Sequence, residues 1–458
     1  RLKGKGFSLK RSRGIDAPKD MERLETLNVF GVHANYMKQF KEYLEDEGLP
    51  NNDDRIEFVL PVIKNLGSTQ LKTIRVKDGV DFKKQGIKPT LDIPDTLFRR
   101  NRVVIDWYPK IQSLTSKKKQ ELDQDTSLNE TWFKSEHMAF IEFDALYFDL
   151  QQMKSERAWY NLNLSREKLW NLLLDDGWYV LLIPSEEMEA TSFEKVNRWQ
   201  EMASSLLRKY CDRFYKHRKA EFEKDHLEYQ TLTEDDPNFI DEYRFLVDRS
   251  REDIVTKLKE ISNAMAKGEL SALSFQGLKT LVFDKHLYQP LIHVNNNQID
   301  IKPVALNPGE KDFVEDLQKF CEGEPELLKD KELYFLRNMS RGRGIGFFEA
   351  GNFYPDFILW LLEGDKQCIN FIDPKGIRNL KGPTDPKIEF YKTIKNLEFD
   401  LDSSKKKITL NSFIIANTRL SEVSHWNTGM DLADFENINV LFQTEDKDAY
   451  VGKLLGNI

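Results

Sequence analysis

Cysteine is scarce in this chain. Three occur in 458 residues, Cys211, Cys321 and Cys368, widely spaced and with no Cys-x-x-Cys pair. That excludes a disulfide framework and a zinc cluster, and it fits a reducing cytoplasm. No apolar run approaches the roughly 18 residues of a membrane-spanning helix, and no signal-peptide pattern opens the chain, so no membrane partner is expected. The Gly-x-x-x-x-Gly-Lys-Ser/Thr loop is absent, which excludes ATP binding by a P-loop within this chain unaided. Net positive charge is also missing. A formal charge of −8 excludes a globally basic DNA-coating protein, although a local basic cleft can act inside an acidic chain. There is no internal repeat, and low complexity is confined to short lysine runs.

The composition, 40% hydrophobic and 31% charged, is that of a globular protein with polar surfaces, and its length suffices for two or three cores. The sequence divides into residues 1–50, 51–300 and 301–458. It opens on Arg1, and the first thirteen residues hold six cations and no acid, which reads as the interior of a longer protein or a processed piece of one. Leu24 to Val32 is strand-like, and Ala34 to Glu47 has helical spacing at Tyr36, Phe40 and Leu44. Ile56 to Leu60 is β-like, and Ser113 to Glu130 is a polar surface loop. Phe140 to about Met265 reads as mostly helical. Its clearest helix starts with a Thr191/Glu194 capping box and carries Val196, Trp199, Met202, Leu206 and Tyr210 on one face. The same helix bears Arg208, Lys209, Arg213, Lys216, Arg218 and Lys219. Asp212, Glu221 and Glu223 break up that cluster, which suits a solvated face; the alternative is a helix laid against a phosphate backbone or an acidic partner.

From about Lys302 the elements run α-β-β-β-α-β-α-β. Asn307-Pro308-Gly309-Glu310 starts a helix, Glu332 to Leu336 is a strand, and two adjoining apolar runs follow: Phe353 to Trp360 and Ile369 to Lys375. Between the runs, Glu363-Gly364-Asp365-Lys366 suits a type II′ hairpin turn. A hairpin centred there pairs residues whose numbers sum to 729, which sets Asp356 opposite Asp373, Cβ atoms about 4.5–5.5 Å apart. Lys375 points to the same face as Asp373. Two opposed carboxylates on an apolar hairpin repel unless a cation lies between them. A divalent ion with oxygen ligands is the natural occupant, and Lys375 adds positive charge or acts as a simple counter-ion. His286, His293 and His425 lack metal-ligand spacing and suit core or surface roles.

Pro355-Asp356 followed by Asp373-Pro374-Lys375 resembles the PD-(D/E)xK nuclease superfamily, with Asp where Glu is often found. That resemblance implies an α/β fold (α+β overall) whose C-terminal part is restriction-endonuclease-like, a mixed sheet flanked by helices with the site at the strand ends. It implies phosphodiester hydrolysis with Mg²⁺, or Mn²⁺ in its place, held by Asp356, Asp373 and the Pro374 carbonyl. A second ion about 3.5–4 Å from the first can assist the leaving group. Lys375 would orient or deprotonate the attacking water. Relatives also use an acid from the first helix; helical phase favours Glu310, on the face of Phe313, Leu317 and Phe320, over Glu315. Glu310 as a capping residue only is the equal alternative. Arg341 and Arg343, in Ser340 to Gly346, suit either phosphate contact or a glycine-rich turn.

The opening, Arg1 to Arg11 followed by Leu24 to Val32, resembles sequence just after the last arginine-rich motif of superfamily-2 helicases, with Arg1 as that motif's final arginine. More narrowly it is similar to the restriction subunits of type III systems and their DEAD/DEAH-box helicase–nuclease relatives. This resemblance makes residues 1–50 the end of a RecA-like domain, 51–300 a connecting region and 301–458 the nuclease. It implies double-stranded DNA as substrate and ATP only through an N-terminal helicase portion of the same protein or complex. A methyltransferase, specificity or other defence subunit is the further partner class. The alternatives are a helicase–nuclease of DNA repair or recombination, and an inactive nuclease-like module that binds DNA or partner subunits.

Overall fold

The protein is seen in a computed structural model that describes residues 55–456, apart from 86–87, 101, 108–128, 340–343, 348–352, 379, 402–406, 427–428 and 448. The strand and helix expected within residues 24–47 lie outside the described residues, as does most of the polar loop expected at 113–130. The fold is α/β, with helices and several mixed sheets and no closed barrel. Two compact units are assembled from interleaved stretches. Of the described residues, one takes 55–67, 239–328 and 334–336; the other takes those of 68–238, 329–333 and 337–456.

The second unit begins with an antiparallel pair, β1 (Lys72–Val76) and its later partner. Strands β2 (Val103–Asp106) and β3 (Glu130–Thr131), helices α1 (Phe143–Glu156) and α2 (Arg166–Leu174) and strand β4 (Tyr179–Leu182) follow, β4 lying between β2 and β3 in a small sheet. Helix α3 (Phe193–Lys224) runs for 32 residues. Its apolar stripe recurs every three or four positions, so Trp199, Met202, Leu206, Tyr210 and Phe214 all face the core and are buried. Its N-cap is Ser192, which accepts from the Lys195 amide at 3.4 Å, and not the Thr191/Glu194 box expected from spacing. Strand β5 (Leu227–Thr231) then pairs with β1. The stretch expected to be mostly helical therefore carries β4 and β5, and in the first unit the strand Glu242–Asp248.

The remaining elements come in the expected order. Strands β6 (Glu332–Arg337), β7 (Phe357–Glu363) and β8 (Lys366–Lys375), helix α4 (Pro386–Leu401), strand β9 (Ile408–Ala416), helix α5 (Leu432–Glu436) and strand β10 (Val440–Phe442) form one five-stranded sheet, ordered as numbered, with its helices. β7 and β8 are antiparallel, while β8, β9 and β10 are parallel, each crossover supplied by a helix. Strands β7 to β9 are almost continuously buried, as a sheet covered on both faces requires. Within this core, Asn370 and Asn411 pair across the parallel ladder, Asn411 Nδ2 donating to Asn370 Oδ1 at 2.9 Å. Asn370 donates onward to the Leu359 carbonyl, and Lys395 of α4 donates to Asn411 Oδ1 at 2.9 Å, so both side chains are served.

In the first unit, the strands Arg55–Pro61, Glu242–Asp248 and Ile299–Lys302 make a three-stranded antiparallel sheet. The helix Pro308–Gly323 starts at Asn307 with the capping box read from sequence, and Phe313 and Leu317 are buried as its phase requires. Among the described residues no helix is long and apolar enough to cross a membrane.

Candidate active site

The hairpin forms in the register that its turn dictates. Gly364 has φ +56°, which the first central position of a type II′ turn needs, and the pairs run from Glu363↔Lys366 to Phe357↔Ile372. One step further in the same register stand Asp356 and Asp373. Here the ladder opens: residues 373–375 pair only with Ile414 to Ala416 of β9, and β7 has already ended. A proline within the strand is tolerated at Pro374 because that stretch is paired on one side only.

Asp373 is 3% exposed. Lys375 lies against its Oδ2 as an ion pair, outside hydrogen-bonding geometry, and this oxygen accepts no hydrogen bond. The Lys375 ammonium also sits 5.0 Å above the Phe353 ring, so one cation faces both a carboxylate and a π surface. Asp356 is half-buried, and its backbone is clamped by a residue that motif reasoning missed. Asn338 donates its amide N–H to the Asp356 carbonyl at 2.8 Å, and its side chain donates to the carbonyls of Ile345 and Pro355 at 2.8 and 2.7 Å. Its Oδ1 accepts from Ile345 N at 2.8 Å. One buried amide thus fixes the backbone on both sides of the acid. Gly344 is needed for this: a Cβ there would lie 1.9 Å from the Met339 carbonyl and 2.4 Å from Asn338 Oδ1. Gly346 likewise admits the Tyr354 ring.

Lys387 is the second missed residue. It stands in the first turn of α4, half-buried, and burial depresses its pKa; Lys375 depresses it further, while Asp373, Asp385 and Asp356 oppose the shift. The charges of Asp356 and Asp373 thus both bear on this ammonium. The signal was present in sequence as a repeated tripeptide, since Asp385-Pro386-Lys387 copies Asp373-Pro374-Lys375. In the second copy Asp385 is a cap: its carboxylate accepts from the amides of Lys381 at 3.1 Å and Lys387 at 3.0 Å.

Glu310 belongs to the first unit. It is buried, as its phase suggested, and Glu315 is half-exposed and paired with Lys279. The Glu310 carboxylate closes the capping box, accepting from Asn307 Nδ2 at 2.5 Å and from the Asn307 amide at 3.3 Å. The capping role is thus present in the structure. Arg1, Arg341 and Arg343 lie outside the described residues. His286 and His293 are buried and bonded to backbone carbonyls, and His425 is exposed.

Among the described residues no cluster of three or more His, Cys, Asp or Glu side chains is arranged to hold a metal. A metal at this site would have two carboxylates, the Pro374 carbonyl and water or substrate oxygens. That all-oxygen, water-rich set fits Mg²⁺ and is wrong for a structural zinc. The buried Asp373 oxygen without a hydrogen bond is the atom such an ion would satisfy. No protein-family model, curated protein or solved structure matches the chain.

Lys387→Gln is expected to have opposite effects on two measurements. Removing a cation beside the carboxylates should tighten Mn²⁺ binding several-fold, read by titration calorimetry. If the site cleaves phosphodiesters, the same change should slow cleavage about 10²–10³-fold, as expected for loss of one charge-stabilising group. Unchanged metal affinity would mean that Lys387 does not face the ion.

Proposed function

We propose that this chain is a Mg²⁺-dependent endodeoxyribonuclease, with Mn²⁺ able to replace Mg²⁺, and that it forms the nuclease part of an ATP-dependent helicase–nuclease of restriction or antiphage defence. The observation that carries the reading is the placing of Asp356 and Asp373 just past the last pair of an apolar hairpin, Phe357↔Ile372, with Lys375 ion-paired to Asp373 and both acids acting on the charge of Lys387. Asp356, Asp373 and the Pro374 carbonyl would hold the ion. When bound, it lowers the pKa of a water and stabilises negative charge on the phosphate. Lys375 orients the attacking water and balances the charge of Asp373 when the scissile phosphate arrives. Lys387 meets the charge that builds on the phosphate oxygens as the bond to the leaving oxygen breaks. Asn338 positions Asp356 and touches no substrate. The apolar strands behind the acids keep water away from them except at the mouth, which strengthens each charge interaction.

ATP would act only through a helicase portion, and a methyltransferase or specificity subunit would restrain cutting in a cytoplasmic host. The test is cleavage of supercoiled plasmid by the chain alone and with the helicase portion and ATP, in Mg²⁺, Mn²⁺ or chelator. Metal-dependent nicking or linearisation is expected. If no metal supports cutting in either assembly, the reading fails and a DNA- or partner-binding module replaces it.

A further inference from the structure

The basic cluster of α3 divides in two: Lys216, Arg218 and Lys219 pair along the solvated helix face with Asp212, Glu221 and Glu223, and the rest lines a cleft. Arg208, Lys209 and Arg213 meet Arg102, before β2, and Arg157, after α1, around this cleft of about 460 Å³, in which Asp212 is the single acid among the described residues. Three of these five cations are fixed by carboxylates. Arg157 pairs with Asp212, which also takes Lys216, and Arg157 lies 5.1 Å above the Trp159 ring. Arg208 pairs with Asp149, and Arg102 approaches Glu130 at 3.9 Å. Such anchoring holds the planar guanidinium forks in place ahead of any ligand.

The other two cations have no ion pair among the described residues. Lys209 and Arg213 are four positions apart on α3 and lie one above the other. Lys209 is exposed. Arg213 is half-buried, stacked 5.5 Å over the Phe98 ring, and desolvation depresses its pKa. A partly desolvated guanidinium with no carboxylate costs the fold free energy that an anion would recover. The floor of the cleft, Val103, Val104 and Met153, is apolar, and Val104 is 51% exposed, a surface for the sugar and not for a free ion's hydration shell.

We propose that this cleft binds the phosphodiester backbone of duplex DNA, a second contact sharing no residue with the Asp356/Asp373 site. The proposal rests on the reading that the chain acts on DNA. It assigns Arg213 and Lys209 to phosphate oxygens, with Arg157 and Arg208 shaping the cleft. Contacts of this kind carry no sequence information; they set register and affinity.

The test is binding of a labelled short duplex in chelator, where nothing can be cut, so a failed nuclease reading leaves the measurement intact. Lys209→Gln/Arg213→Gln is expected to raise Kd at least about ten-fold. The slope of log Kd against log salt should fall by about 1.8, or about 0.9 for each phosphate no longer neutralised. The charge-conserving pair Lys209→Arg/Arg213→Lys should keep most of the affinity, which a packing role for Arg213 would not allow. Lys209→Gln alone, at an exposed position, guards against misfolding and should lower the slope by about 0.9. Unchanged affinity and slope in both Gln variants would overturn the proposal. So would tripolyphosphate protecting the cleft from modification while duplex DNA does not, because the ligand would then be a free anion.

Discussion

Replacing Asp373 by asparagine is expected to slow metal-dependent DNA cleavage by at least about 10³-fold, a loss of about 4 kcal/mol of transition-state stabilisation. Asparagine keeps the size and the strand geometry at a position 3% exposed, so the loss is one of charge. Activity alone does not separate a metal ligand from a structural residue, so a second reading is needed. Mg²⁺ should raise the thermal midpoint of the parent chain, since a ligand that binds only the native state stabilises it, and the asparagine variant should show no such rise. The variant without metal should be no less stable than the parent. Removing a buried carboxylate whose Oδ2 accepts no hydrogen bond offsets the loss of its Lys375 partner. A variant that still cuts within about ten-fold of the parent would remove Asp373 from the metal site. Asp356→Asn should likewise lose cleavage and the rise of the thermal midpoint with Mg²⁺, because the proposed ion is held by both acids.

The second large effect is on stability. Trp360 is fully buried on β7, and its indole N–H donates to the Lys72 carbonyl at 2.7 Å. The neighbouring strand repeats the tie: Gln367 accepts from the Lys72 amide at 3.0 Å and donates to the Gln70 carbonyl at 2.8 Å. The hairpin that carries Asp373 is therefore bound to the start of β1 through side chains on both its strands. Trp360→Ala should cost about 3–5 kcal/mol, the range for emptying a packed aromatic site. Trp360→Phe, which keeps most of the packing and strands the Lys72 carbonyl, should cost about 1–3 kcal/mol. Urea denaturation followed by far-UV circular dichroism measures both. An alanine variant within about 1 kcal/mol of the parent would mean that the site collapses around the gap.

The sheet and its hairpin were legible because their signals are local. A Gly-Asp turn between two apolar runs sets the register, and the register sets which side chains oppose each other. The start of α3 was legible to within one residue only. Thr191 and Ser192 are both good caps, and spacing does not choose between them until Lys195, and not Glu194, presents its amide. Strand β4 was missed because Tyr179-Val180-Leu181-Leu182 is a short, continuous apolar run, equally consistent with a buried helical turn; pairing with β2 decides it. The two Asp-Pro-Lys tripeptides make the same point for the site. One continues a strand because β9 is there to pair with it, and the other starts a helix because Asp385 finds free amides to cap. Lys387 and Asn338 matter through folded neighbours, and no window of sequence contains those neighbours.

The two buried asparagines of the sheet have a consequence for how it assembles. β8 and β9 can pair only after the chain has travelled through α4, a long-range closure that is slow compared with forming the hairpin. Several alignments of two oily strands would look nearly equal to such a late arrival. A slip of two residues keeps every face correct but sets Asn411 beside Cys368 or Ile372, leaving amide groups buried without partners at a cost of about 1–3 kcal/mol each. The wrong alignments are thereby penalised more than the right one is rewarded. The native phase leaves Asp373 and Lys375 at the strand's mouth, so a pair of uncharged amides in mid-sheet acts as the proofreader of where the charges emerge.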